Sequence, residues 1–236
     1  MTENKSPNED LFATGAVDTT ISDISKDSDT WVEQAANKTD AVSGDTYVKL
    51  DCGVLTVNQL NYLLNSMPFE ITYADDNNQF LYYNHMLPKE KMLASREPSQ
   101  VGNAIAYCHP QKARKGAAAV VNMLRTGKTE TFKMPIPGNG PDKYIVHDYT
   151  AMHDANGNYR GVNEQVYDLM PTIKWYLQQT GQMLVKDPDA RPDTITGASQ
   201  KQETEIEPDT TTGASQQPES KPEPQTDATT SASHTD

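Results

Sequence analysis

The 236-residue chain carries 20 Lys and Arg against 33 Asp and Glu, a formal net charge of −13. Residues 1–50 hold a net −6, residues 51–184 are neutral with 12 charges of each sign, and residues 185–236 hold −7, while 14 of the 17 aromatic residues fall in the neutral middle. No run approaches the roughly 18 apolar residues of a membrane span, the first residues lack the apolar stretch of a signal peptide, and two cysteines are too few for a disulfide framework. Without a clustered positive face, direct nucleic-acid binding is not expected, and the expected location is cytoplasmic.

The acidic ends read as tails. Residues 1–50 are expected to form a flexible N-terminal segment, with Leu11, Phe12, Ile21, Ile24, Trp31 and Val32 as the material for a short docking helix. From 185 to 236 the chain is rich in Pro, Thr, Ser, Gln and Glu. It cannot bury enough apolar surface to offset ordering and is expected to be disordered. Its repeated polar block, 192–200 and again 208–216, is a duplicated spacer. The domain expected between the tails is 51–184.

Within that domain, Thr56 and Gln59 form a capping-box signature ahead of Val57, Leu60, Leu63, Leu64 and Met67 at helical spacing, and Pro68 ends the helix. Phe69 to Ala74 and Gln79 to Asn84, joined by Asp75-Asp76-Asn77-Asn78, read as a β-hairpin. A short helix near Val101 to Tyr107 and a second from Pro110 follow, the second with Ala117, Val120, Val121 and Leu124 on one face and Gly127 as its stop. Three strands are expected at 129–135, 143–153 and 159–170, the last two joined by an Asn156-Gly157 turn. A closing helix runs from Pro171 through Trp175, Leu177 and Leu184.

Helix, two strands, helices, three strands, helix is an order that resembles the PAS domain. Leu64 to Asp75 with Gln79 to Asn84 resemble the family's opening, and Ala151 to Val162 leading to Tyr167-Asp168-Leu169 resemble its last hairpin. Arg96-Glu97-Pro98-Ser99-Gln100-Val101-Gly102 and Cys108-His109-Pro110-Gln111-Lys112 are similar to motifs of the C-terminal PAS domain in bacterial proteins that often carry a hemerythrin-like domain (DUF438). Gln111 replaces a Pro of that motif, Val146 and His153 stand where that group has His and Arg, and no hemerythrin-like sequence precedes the domain. The resemblance implies an α+β fold, a PAS-like five-stranded antiparallel sheet with helices across one face. It further implies sensing of a small molecule or redox state.

No catalytic or phosphate-binding motif is present, so the chain is not expected to be an enzyme. His109 is the candidate ligand for haem iron or another metal, the alternative being a helix cap or a loop hydrogen bond. His147, Tyr149 and His153 alternate on one side of a strand, with Tyr144, Val146, Thr150 and Met152 on the other, and either side can be the inner one. The stripe Phe69, Ile71, Tyr73 with Phe80 and Tyr82 reads as core, and Tyr73, Tyr82 and Tyr149 are candidate polar pocket contacts. Cys108 is a candidate redox thiol. The expected function is a sensory module that binds a small molecule or cofactor, haem being one candidate. Its signal passes to a separate protein partner, through the terminal helix or a homodimer contact. A ligand-free interaction module is the alternative.

Overall fold

The computed structural model describes Leu11, residues 21–25 and residues 28–189. The expected tail beyond residue 189, and Phe12 in the N-terminal segment, lie outside the described residues. The elements are α1 (Trp31–Lys38), β1 (Tyr47–Leu50), β2 (Gly53–Thr56), α2 (Val57–Asn65), β3 (Glu70–Ala74), β4 (Phe80–Tyr83), α3 (Gln111–Arg125), β5 (Thr131–Ile136), β6 (Ile145–His153), β7 (Tyr159–Asp168) and α4 (Met170–Thr180). β1 and β2 form a separate hairpin, and the other five strands form one sheet in the order β4-β3-β7-β6-β5, every pairing antiparallel. This is the five-stranded fold that the sequence implies.

Local chemistry sets the element boundaries. The Thr56 hydroxyl accepts from the Gln59 backbone N–H while the Gln59 side chain accepts from the Thr56 N–H, so α2 starts where the capping box places it. The β6–β7 turn is organised by Asp154, whose Oδ1 accepts from the backbone N–H groups of Asn156 and Asn158, and Gly157 takes the positive φ that the turn requires. α4 ends at Thr180 because Gly181 adopts the left-handed conformation, several residues before the end the sequence suggests. The helix expected at Val101 to Tyr107 is instead two single 3-10 turns, Pro98–Gln100 and Ile105–Cys108.

Residues 31–50, assigned from sequence to the flexible segment, contain α1 and β1. Trp31 is 4% exposed and lies in the main core with Leu11, Ala35, Phe80, Val101, Ile105, Leu124 and Val162. Gln79 ties this segment to the sheet: its Oε1 accepts from the Ile21 N–H at 2.8 Å, and its Nε2 donates to the carbonyls of Ile21 and Gly102. Gly102 has φ +90°, and a Cβ there would overlap the Trp31 indole.

The phase of the sheet differs from the aromatic-stripe reading. Thr72 and Ala74 of β3 face the helix side, so Ile71 and Tyr73 point to the other face. In β4 a bulge separates the pairs Tyr73↔Tyr82 and Ala74↔Phe80, so Phe80 turns inward while Tyr82 shares the outer face with Tyr73. The extra residue, Leu81, breaks the two-residue period that had placed Phe80 and Tyr82 together.

Candidate functional site

Strand alternation puts Phe132 and Met134 of β5, His147 and Tyr149 of β6, Val162 and Glu164 of β7, and Thr72 and Ala74 of β3 on the face that α3 covers, as the cross-strand pairs show. α3 seals this face with Ala113, Ala118, Val121 and Leu124, all buried. Beside these, α3 lines the remaining gap with Gly116, Ala117, Ala119, Val120 and Met123, most of them small. A cavity of about 290 Å³ remains there. Its wall is mostly apolar, with Phe80, Val121, Met123, Phe132 and Met134 prominent, and its polar groups come from Thr72, Arg96, Cys108, His109, Tyr149 and Glu164.

Most of those polar groups form one buried network. Arg96 Nη2 donates to Glu164 Oε2 at 2.7 Å, its Nε to Thr72 Oγ1 at 3.2 Å and its Nη1 to the Ser95 carbonyl at 3.4 Å. The other oxygen of Glu164 accepts from His147 Nδ1 at 2.8 Å, and the Tyr149 hydroxyl stands 3.4 Å from that nitrogen. Burial opposes ionisation of Glu164, but the Arg96 charge and the bond from His147 outweigh it and hold the carboxyl below its ordinary range. For Arg96 the balance is the same: desolvation is outweighed by Glu164, so the guanidinium stays charged. Burial, followed by the Glu164 charge, pushes the Tyr149 phenol well above its ordinary value, so it remains a neutral O–H.

His109 stands apart from this network. It follows the Ile105–Cys108 turn and precedes Pro110, the N-cap of α3, and its Nδ1 lies 2.8 Å from the Ile105 carbonyl. A carbonyl can only accept, so Nδ1 carries the proton and Nε2 keeps its lone pair. Desolvation lowers the imidazole below its ordinary 6.5, the Ile105 bond opposing this only in part. His109 is therefore neutral at neutral pH. His109 is half-buried and lines the cavity.

The structure gathers His109, Tyr149 and Cys108 at the cavity, and His147 lies directly behind it through Glu164. The other candidates lie elsewhere. Tyr73 is on the outer face with its hydroxyl donating to the Arg160 carbonyl, Tyr82 pairs beside it, and neither lines the cavity. His153 lies beyond a bulge at Met152/His153, 3.6 Å from Glu130, at the end of β6 and away from the cavity. Neither Cys108 nor Cys52 forms a disulfide among the described residues. Among the described residues no three His, Cys, Asp or Glu side chains come together as a metal cage.

Arg96 and Glu164 were not assigned to the site from sequence. In the sequence Arg96 stands out only as part of the Arg96-Glu97-Pro98 motif, and Glu164 belongs to no motif. The available signal is the pattern Val162-x-Glu164-x-Val166: a carboxylate at an inward position between two buried valines needs a buried partner. Glu70 is a second buried carboxylate on the inner face. It is buried on β3 and accepts from the backbone N–H groups of Leu93 and Ala94, and desolvation raises its carboxyl despite those bonds.

Comparison with known proteins adds a family. The family model described as a PAS domain matches residues 60–170. Among solved structures, a C-terminal domain from Streptococcus mutans is 33% identical, with a TM-score of 0.53, covering 56% of this chain and 99% of that one. VqmA of Vibrio cholerae, solved as a complex with ligand and DNA, is 20% identical with a TM-score of 0.37 and covers 56% of this chain and 62% of that one. The Aer2 receptor of Vibrio cholerae, described as a dual PAS-haem oxygen sensor, is 21% identical with a TM-score of 0.31 and covers 43% of this chain and 94% of that one. No curated protein matches the chain. Fold, sheet order and matched segment agree, and over residues 60–170 the chain belongs to the PAS domain family.

Proposed function

We propose that the chain is a non-catalytic sensory module that binds a small molecule in the cavity between α3 and the sheet and passes its occupancy to a separate protein. The cavity carries this reading: about 290 Å³ lies between a helix of small side chains and a sheet face with a buried polar network, in a core that packing would otherwise fill. Concave, mostly apolar sites with a few placed polar groups are the usual form of ligand pockets. The contacts proposed for the ligand are His109 and Tyr149, with His147 acting through Glu164 and Cys108 as a thiol at the wall. Output runs through α4, which follows the central strand β7 directly, has no buried residue, and exposes Trp175 and Tyr176.

His109 offers the donor chemistry of a haem ligand, an imidazole with a free Nε2. The cavity volume favours a smaller molecule, since pockets for drug-sized ligands run from roughly 300 to 1,000 Å³ and a tetrapyrrole is at the large end of such ligands. Native mass spectrometry of the purified full chain, with a visible spectrum before and after addition of hemin, tests the reading. A bound compact molecule supports it. A Soret band lost in His109→Ala would replace it with haem sensing, and a bare-chain mass with an unchanged spectrum would favour the ligand-free interaction module.

A further inference from the structure

The charges at the cavity wall are already spent on one another. The three guanidinium nitrogens of Arg96 each have an acceptor, and the two oxygens of Glu164 each have a donor. Both side chains are less than 10% exposed, and together they are neutral. An ionised ligand would therefore enter a largely apolar space that holds no spare counter-charge, which disfavours its binding. Among the uncharged polar groups of the wall, His109 offers an acceptor. His109 Nδ1 is occupied by the Ile105 carbonyl, its Nε2 has no hydrogen-bond partner among the described residues, and the ring lines the cavity. The same cavity is lined by Phe80, Phe132, Met123 and Met134, a surface that suits a flat apolar ring.

We propose that the cavity takes a compact, uncharged, largely apolar ligand bearing an N–H or O–H donor that His109 Nε2 accepts. The proposal rests on the reading of the cavity as a ligand site and adds the chemical class of the ligand. Three probes separate the two claims: indole, which has an N–H donor; benzofuran, of the same shape with oxygen in its place; and benzoate, a compact anion. Each is titrated into the full chain at neutral pH, and the methyl resonances of Val120, Val121, Met123 and Met134 report whether it enters the cavity.

The expected result is that indole binds about three- to tenfold tighter than benzofuran, the worth of one net hydrogen bond, and that benzoate binds more weakly than either. In His109→Leu the indole-to-benzofuran ratio falls to about one, and in His109→Gln, which keeps an acceptor, part of the preference returns. Benzoate binding tightest, or a ratio unchanged in His109→Leu, overturns the ligand class while leaving the cavity as a site. If none of the three probes moves those methyls, both the class and the underlying reading of the cavity fall.

Discussion

Arg96 and Glu164, 68 residues apart in sequence, meet at 2.7 Å with side chains only 5% and 8% exposed. Such a pair does little for net stability compared with an apolar pair of similar volume, but removing one member leaves a buried charge without a partner. Glu164→Gln and Arg96→Met are each expected to lower unfolding free energy by about 3–5 kcal/mol in urea titrations. The double variant Arg96→Met/Glu164→Leu is expected to cost less than the sum of the two. Strict additivity would show that the two side chains are not coupled.

The pH dependence of stability follows from three buried groups. His109 is held below its ordinary 6.5, so in the unfolded chain it takes up a proton that the folded chain refuses. Its contribution is complete above pH 6.5 and is lost as pH falls through its folded value. Glu164, also depressed, repeats this below its ordinary 4.5. Glu70 is raised, so its contribution has the opposite sign: it is present below 4.5 and lost as pH rises through its folded value. Thermal unfolding across mildly acidic pH is expected to show declining stability in the native chain and a flatter profile in His109→Gln. An identical profile in that variant would remove His109 as the source.

The contact of Gly102 with Trp31 is expected to tolerate no side chain. Gly102→Ala introduces strain at φ +90° and displaces the indole, and a loss of about 2 kcal/mol or more follows from overpacking with backbone strain. Trp31 is buried and Trp175 is 62% exposed, so in a Trp175→Phe background the emission of Trp31 reads the displacement directly as a red shift. Trp31→Ala in the same background as Gly102→Ala is expected to relieve the overlap while leaving the φ strain.

Thr56→Ala removes one half of the capping box at the start of α2 and is expected to cost about 1 kcal/mol. Thr56→Ser keeps the hydroxyl and is expected to recover most of it. Equal losses in the two variants would show that the methyl group, not the cap, is what matters.

Much of the fold is legible in the sequence because its punctuation is local. Thr56 and Gln59, Pro68, Pro110, Gly127 and Asn156-Gly157 each act within a few residues, and each boundary they mark is found close by. Two kinds of information are not local. Sheet phase depends on the bulge at Leu81, which sends Phe80 and Tyr82 to opposite faces. The site depends on partners far apart: Arg96 arrives from a loop of 3-10 turns, Glu164 from β7 and His147 from β6, and only the sheet register brings them together. His109 is visible in the sequence as a residue type, but its tautomer is set by the Ile105 carbonyl, which only the folded turn supplies.

The family match begins at residue 60, yet Gln79 clasps both backbone groups of Ile21, and the bare backbone at Gly102 receives the ring of Trp31. A fragment trimmed to the matched segment would keep the clasp and the notch and lose what fills them. It would carry a buried amide that keeps its bond to the Gly102 carbonyl but loses both bonds to Ile21, and an open apolar seat beside Phe80 and Val101. The recognisable domain is thus shorter than the unit that physics closes. A residue that reads as an ordinary polar glutamine and another that reads as a turn glycine together form a receptacle for the chain's own earlier segment.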